Sequence, residues 1–244
     1  METNTFYHDA LVAKLPLMEL LQVKSGEHIL DLGCGNGNLT AQIAAAGATV
    51  LGIDSSEHMI EKAKAQYPSL PFVTVDATTF RRVQLFDAIF SNATIHWIQD
   101  AKALVEMMQA VLQVGGRVVA EFAAAGNVSI VMDAIYQVLK NYGYHTTNRH
   151  PWYWPTIGEY SQLLEQHQFR VLYTHHFDGV QPLPAEKTIR HWIESYAAYF
   201  FHDCAESDIE MMYNEIEAMT APVLMQNDRW HINISRMRVV AIKE

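Results

Sequence analysis

The chain has 244 residues, half of them hydrophobic, and a formal net charge of −10 at pH 7. This length suits one domain with a sizeable core, so we predict a single domain over residues 1–244. The acidic balance and the lack of Lys/Arg runs argue against binding to nucleic acid or to an anionic membrane, both of which need a positive surface.

The first half of the chain alternates short apolar runs with helical stretches. The apolar runs predict five strands, at residues 28–31, 49–54, 72–76, 86–91 and 117–122. Between them we predict helices that end near residue 46, at residue 66 and at residue 112. Strands joined by helices of this length require right-handed crossovers and therefore predict a parallel sheet. Because the runs are continuous, helices should cover both faces of the sheet.

The second half of the chain has a different pattern. We predict helices over 128–141 and 157–166 and strands over 170–178 and 231–243, the two strands forming an antiparallel pair that closes the sheet edge. The residues between these strands, 179–228, should be mostly helical and form a cap over a pocket. The predicted fold is α/β, a Rossmann-like doubly wound sheet of seven mostly parallel strands with an antiparallel C-terminal edge strand and a helical cap insertion.

A glycine-rich turn follows the first strand, where Asp31 is succeeded by Gly33, Gly35 and Gly37. Glycines let the backbone turn tightly and let a ligand lie against it. The third glycine comes two residues after the second, whereas the dinucleotide fingerprint places it three after, and the chain has no Walker lysine. An acid before the first glycine suits a ligand with a cationic amine and would repel a pyrophosphate.

Two further acids end the next strands. Asp54 can accept hydrogen bonds from both hydroxyls of a ribose, and Asp76, followed by Ala77, can meet the exocyclic amine of an adenine. Any one of these acids alone could be a helix cap or a turn residue. Together with Asp31, at successive strand ends where open α/β sheets bind ligands, they predict a nucleoside site.

The chain resembles the class I S-adenosylmethionine-dependent methyltransferases, and in particular the type 11 and trans-aconitate methyltransferase group. The resemblance covers about residues 20–122 and is weaker in the closing strand. The segments that carry it are residues 31–37, 52–56, 86–97, 112–117 and, faintly, 238–241.

This resemblance implies that S-adenosylmethionine (SAM) is the cofactor. The three glycines would line its methionine part, Asp31 would orient toward its amine, and Asp54 would hold its ribose. Tyr7 could belong to an N-terminal lid or be an ordinary packing residue. The implied cofactor-binding set is Tyr7, Asp31, Gly33, Gly35, Gly37, Asp54, Ser55, Met59, Asp76, Ala77 and Asn92.

The acceptor side is less defined in the sequence. His96 follows the fourth strand and is the candidate general base. The alternative, a helix-start or packing residue, is slightly favoured, since a carboxylate acceptor requires no proton removal. Trp97 should pack the pocket wall. A loop at 149–155 is dense in aromatic side chains and could line an acceptor pocket or pack as a proline-bounded loop. Its candidate substrate-binding aromatics are Trp152, Tyr153 and Trp154.

Arginines in the second half could hold an anionic acceptor through a bidentate fork. The candidates are Arg149, Arg229 and Arg236, although each alone is more often a member of a surface ion pair. The two cysteines, Cys34 and Cys204, and the histidines show no metal-ligand spacing, so we predict no metal site.

Three functions remain open from the sequence. The favoured one is a methyltransferase for a small molecule, with a carboxylic acid as the preferred acceptor. The alternatives are an enzyme that acts on a lipid or acyl chain and a SAM-binding module without transfer activity. With no signal segment and no apolar stretch near the roughly 18 residues of a membrane span, we expect a cytoplasmic protein, of undetermined oligomeric state.

Overall fold

The computed structural model describes residues 15–147 and 149–244. Within these residues the chain forms two compact units. Unit 1 contains the chain up to Ala124 together with Tyr153–His176 and Arg236–Glu244, and unit 2 contains Ala125–Trp152 and Phe177–Ser235. Tyr7, the predicted lid residue, lies outside the described residues.

The predicted doubly wound sheet is confirmed. Its strand order is β3-β2-β1-β4-β5-β8-β6, and the two-residue strand β7 pairs with β8. β1 to β5 are parallel, while β8 runs antiparallel to β5 and β6 lies beyond it, which gives the predicted antiparallel edge. The strands are β1 (His28–Leu32), β2 (Thr49–Asp54), β3 (Phe72–Thr74), β4 (Phe86–Asn92), β5 (Leu112–Ala123), β6 (Phe169–Pro182), β7 (Met225–Gln226) and β8 (Arg229–Lys243).

Helices connect these strands and make up much of unit 2. They are α1 (Leu17–Leu21), α2 (Asn38–Ala45), α3 (Glu57–Gln66), α4 (Ala101–Val111), α5 (Ser129–Asn141), α6 (Ile157–Gln166), α7 (Ile189–Trp192) and α8 (Glu206–Leu224). Local signals set several starts: the Ser56 side chain accepts the Met59 N–H at the start of α3, and Thr156 with Glu159 forms a capping box on α6.

The core of unit 1 consists of two apolar layers, one on each face of the sheet. Along β1, Ile29 belongs to the layer that includes α1 and α2, whereas Leu30 belongs to the layer that includes α4 and α6. Successive strand residues point to opposite faces, so a strand covered on both sides must be apolar at every position. This is the physical reason for the continuous apolar runs in the sequence.

Some boundaries differ from the predicted ones. β3 ends at Thr74, so Asp76 lies in the loop after the strand, and β5 begins at Leu112 rather than at Arg117. The segment 179–228 contains α7, α8 and two shorter helical turns, but its first residues belong to β6 and it ends in a hairpin with β7. Its role as a cap stays a prediction.

Candidate functional site

The glycine turn is held against the end of β2. The N–H groups of Gly33 and Cys34 both donate to the carbonyl of Ile53, at 2.8 and 2.9 Å, and Gly37 N–H donates to the Cys34 carbonyl at 3.0 Å. Gly33, Gly35 and Gly37 have φ values of +74°, +54° and +81°, in the left-handed region that side chains with a Cβ disfavour. The turn therefore needs glycine at these three positions for its own backbone, apart from any ligand.

Gly33 also contacts the loop that follows β4. A Cβ built on Gly33 would lie 1.9 Å from the Thr94 Oγ1 atom, and the Thr94 hydroxyl donates to the Gly33 carbonyl at 3.3 Å. A Cβ on Gly35, in contrast, would meet only the terminal methyl of Met59, at 3.4 Å. Gly33 is thus required by packing, whereas among the described residues only the Met59 methyl borders the space over Gly35.

Asp54 links two loops through its carboxylate. Its Oδ2 accepts the Gly35 N–H at 3.0 Å and its Oδ1 accepts the Ser56 N–H at 2.9 Å. The side chain is only partly buried, so each oxygen retains lone pairs for a further donor. The structure therefore places the acid predicted to hold a ribose directly beside the glycine turn.

Asp31 is 2% exposed and accepts a 2.5 Å hydrogen bond from the Thr40 hydroxyl. Burial raises the pKa of this carboxyl to about 7, the Thr40 bond opposes that rise, and the nearby Asp54 charge adds to it. A buried carboxyl without a cationic partner favours its neutral form. A ligand ammonium placed beside it would restore the ionised form.

The remaining predicted adenosine contacts are arranged less tightly. Met59 lies beside Gly35, and the exposed Ser55 precedes Ser56, which is the residue that caps α3. Asp76 is exposed and accepts the N–H and the hydroxyl of Thr78. It thus caps a short 3-10 turn at Ala77–Thr79, the local role that any such acid can have, and its contact with adenine stays a prediction.

The strand end that follows β4 has an unusual backbone. Asn92 is partly buried, and Ala93 has a φ of +57° while its N–H donates to the Glu121 carbonyl at 2.7 Å. The Thr94 hydroxyl lies 3.2 Å from the Asn92 carbonyl and 3.3 Å from the Gly33 carbonyl, so these two oxygens share its single proton. These bonds fix Asn92 beside the glycine turn, at the point where the strand order reverses and open α/β sheets bind ligands.

His96 is partly buried and accepts a backbone hydrogen bond on one ring nitrogen. The Ala123 N–H donates to its Nδ1 at 3.4 Å, so the ring proton belongs on Nε2. Burial, aided by the charge of Arg236, lowers the pKa of His96 to about 4. A base this weak is poorly matched to proton abstraction near neutral pH, and its Nε2–H is a hydrogen-bond donor.

The predicted acceptor residues separate between the two units. In unit 1, Trp97 is 49% exposed and packs beside His96, and the Tyr153 N–H donates to the His96 carbonyl at 2.9 Å. Trp154 also belongs to unit 1. In unit 2, Trp152 is buried against Trp192 and Phe200. The aromatic loop is therefore largely packed rather than exposed.

The three candidate arginines also belong to different units and differ in their bonding partners. Arg149 is buried in unit 2 and is fully engaged there: its guanidinium donates to the carbonyls of His145 and Phe200 and pairs with Asp203 at 2.7 Å. Arg229 donates to the Leu183 carbonyl at 2.9 Å. Arg236 is partly buried in unit 1 and has no such partner in the described parts of the chain.

These contacts give Arg149 a stabilising role within unit 2. Replacing it with alanine leaves the buried Phe200 carbonyl and the part-buried carbonyl of the exposed His145 without this donor and removes the pair with Asp203, which we expect to cost about 2–4 kcal/mol of unfolding free energy. Arg170→Ala, which removes an exposed pair with Glu244, should cost at most about 1 kcal/mol. Urea unfolding of both variants measures the difference. Equal stability of the two variants would contradict this role.

Thr40 and Thr94 are site residues that the sequence patterns did not indicate. Thr40 donates to Asp31 from the first turn of α2, and Thr94 packs onto Gly33. The nine-residue spacing between Asp31 and Thr40, which is enough to return from the strand end to the helix, was the available signal for the first. Thr94 had none.

Neither a metal-binding cluster nor a membrane-spanning helix is present among the described residues. No group of three or more His, Cys, Asp or Glu side chains there could hold a metal ion. Within the same residues, every helix is too short or too polar to cross a bilayer.

The residues around the glycine turn fit SAM. That cofactor carries two positive charges, on its sulfonium and its ammonium. The site offers the carboxyl groups of Asp31 and Asp54, and no Lys or Arg among the described residues bonds either of them. The open space over Gly35 and the unused lone pairs of Asp54 suit a ribose with its two hydroxyls.

Comparison with known proteins agrees with this geometry. A family profile described as a methyltransferase domain, type 11, matches residues 30–120. An uncharacterised methyltransferase of Schizosaccharomyces pombe is 31% identical over 242 residues, covering 93% of this chain and 91% of the relative.

Two further similarities are partial or distant. A trans-aconitate 2-methyltransferase of Methylobacterium radiotolerans is 38% identical over 108 residues, 43% of this chain and 39% of that protein. The crystal structure of an S-adenosylmethionine-dependent methyltransferase from Mesorhizobium loti has a TM-score of 0.55 and 19% identity, with 96% of each chain covered.

Proposed function

Because this chain belongs to the type 11 group of class I SAM-dependent methyltransferases, we propose that it methylates a small-molecule acceptor and that the acceptor is a carboxylic acid. The observation that carries the methyl-transfer part is the pair of carboxylates, Asp31 and Asp54, on adjacent strand ends around the glycine turn. The hydrogen bond to His96 and its lowered pKa support the acceptor class.

Bound SAM supplies a methyl group that is already activated by its sulfonium. The protein then has to hold, orient and desolvate the reactants. In this proposal Asp54 accepts the ribose hydroxyls, Asp31 and Asn92 orient the amino-acid part, and Ser55, Met59, Asp76 and Ala77 flank the adenosine.

The state of His96 favours an acceptor that needs no base. An amine, phenol or carbon acid usually has to lose a proton when it is methylated, whereas a carboxylate is already ionised at neutral pH. His96 has its lone pair directed at the Ala123 N–H and a pKa lowered to about 4 by burial and by Arg236. His96 is therefore unsuited to remove a proton from the acceptor.

A radiolabel assay tests the proposal. The purified chain is incubated with methyl-tritiated SAM and a panel of carboxylic acids and cell extract, and the products are then treated with mild alkali. Methyl esters release volatile labelled methanol, whereas N-, C- and phenol O-methyl products keep their label. Alkali-stable label would refute the carboxylic acid, and label that partitions with extracted acyl chains would point to the lipid alternative.

Asp31 gives this proposal a pH dependence. Its pKa of about 7, raised by burial, leaves the carboxyl mostly neutral in the free protein below pH 7. If the ionised form holds the ammonium, SAM affinity should fall up to tenfold per pH unit below about 7, and binding near pH 6.5 should release a proton. Calorimetry in two buffers of different ionisation enthalpy measures that release.

The matched variant is Asp31→Asn, which cannot ionise. It should bind SAM more weakly and with no proton release from this site, and any pH dependence that it keeps belongs to the ligand. A wild-type protein whose SAM affinity is the same at pH 5.5 and pH 7.5 would contradict the assignment of Asp31 to the ammonium.

A further inference from the structure

One arginine of unit 1 differs from the other arginines in its contacts. All nine arginines lie in the described part of the chain, and there eight of them bond a carboxylate, a carbonyl or an amide oxygen through the guanidinium. The exception is Arg236, which is nevertheless partly buried. Removing a charge from water without a counter-ion is unfavourable, so the protein gains nothing from this position by itself.

Arg236 and His96 are connected through Ala123. In the antiparallel pairing of β5 with β8, Arg236 is directly opposite Ala123. The N–H of Ala123 donates to the Nδ1 of His96, which leaves the His96 Nε2–H as a donor. Burial, with a smaller contribution from the charge of Arg236, lowers the pKa of His96 and so favours its neutral ring. The two side chains therefore offer donors only.

We propose that Arg236 and the Nε2–H of His96 together bind an anionic oxygen group of the acceptor that is not the group being methylated. This inference rests on the proposed function and adds the acceptor's anchoring point. The planar guanidinium fork matches a carboxylate bidentately. An oxygen held by these donors loses nucleophilicity, so the methylated atom must be elsewhere on the same molecule. His96 is thereby a binding residue and not a base.

The test is a binding experiment on the full chain. Histidine is labelled with ¹⁵N, the His96 resonance is assigned from a His96→Gln variant, and carboxylates from acetate to citrate are titrated with and without S-adenosylhomocysteine. We expect His96 to be the Nε2–H tautomer and its signal to shift saturably with at least one polycarboxylate. The corresponding methyl esters, which lack the charge, should leave it unchanged.

Three variants make the result specific. Arg236→Gln should weaken polycarboxylate binding at least tenfold, Arg236→Lys should recover part of it, and Arg170→Gln, with the same loss of charge at an exposed pair, should stay within twofold of wild type. Because Arg236 holds nothing within the described chain, the urea midpoint of Arg236→Gln should be no lower than that of wild type.

The proposal is overturned by an Nδ1–H tautomer, by a His96 signal that no carboxylate shifts, by unchanged binding in Arg236→Gln, or by a lowered urea midpoint of that variant. SAM binding by the wild type, measured in parallel, distinguishes a failure of this inference from a failure of the proposed function. A wild type that binds SAM normally but binds no carboxylate refutes this inference alone. A wild type that does not bind SAM refutes the proposed function.

Discussion

Replacing Asp54 with alanine should weaken SAM binding by about 100-fold or more. A hydrogen bond to a charged group contributes about 1.5–3 kcal/mol, two ribose hydroxyls would bond this carboxylate, and 1.4 kcal/mol corresponds to a factor of ten. The variant also leaves the Gly35 and Ser56 N–H groups without their acceptor, so the glycine turn itself becomes less ordered. Calorimetric titration with S-adenosylhomocysteine measures the loss.

Two companion variants sharpen this result. Glu57→Gln removes the same charge from an exposed position three residues away, at the start of α3, and should bind within about twofold of wild type. Asp54→Asn keeps the shape but turns one acceptor into a donor, so it should bind nearly as weakly as the alanine variant. Near-normal affinity of Asp54→Ala would refute the ribose role.

The second large effect is expected from Gly33→Ala. The new methyl group would lie 1.9 Å from the Thr94 Oγ1 atom, at a φ of +74° that alanine disfavours. Backbone strain of about 1–2 kcal/mol and overpacking of about 1–3 kcal/mol should together lower the unfolding free energy by about 2–5 kcal/mol. Urea denaturation measures the change, and SAM affinity should fall as well because the turn is displaced.

Gly26→Ala separates the two causes. Gly26 has a φ of +85°, and no atom of the described residues lies within 4 Å of a Cβ built on it, so this variant carries the backbone strain alone, about 1–2 kcal/mol. In the Gly33→Ala background, Thr94→Gly should restore part of the stability, since it removes the atoms that clash. If Gly33→Ala and Gly26→Ala were equally stable, the packing of Thr94 onto the turn would not be the cause.

The parallel part of the sheet could be predicted because each inner strand is apolar on both faces, as Ile29 and Leu30 illustrate. The end of β3 was harder to predict, because β3 is an edge strand and its Val73 is exposed. The chain leaves the strand before Asp76, whose side chain caps the following helical turn. The early start of β5 was masked by Gly115, whose φ of +81° is accommodated inside the strand near an irregular register.

The β7–β8 hairpin went unpredicted although its signal is present in the sequence. Asn227 and Asp228 both have positive φ, at 50° and 57°, and Asn and Asp tolerate that conformation better than other side chains. The segment's helical pattern outweighed this short pair.

For the site, sequence reasoning could place the acids at the strand ends because the carboxyl ends of parallel strands share one edge of the sheet. It could not distinguish Arg149 from Arg236. Neither arginine belongs to a sequence motif that indicates its partners. Only the tertiary contacts reveal that Arg149 is bonded within unit 2, while Arg236 bonds no oxygen in the described residues. Thr94 was hidden for the same reason.

The discontinuity of unit 1 has a consequence for how the protein is made. Its sheet depends on Arg236–Glu244, which pair with β5 over seven positions and place Met237 and Val240 in the opposite apolar layers. A nascent chain therefore cannot finish this unit until the ribosome has passed these residues, more than a hundred positions after β5. An interrupted translation product that stops before residue 236 should display β5 as a bare strand edge, a template for aggregation and a target for quality control.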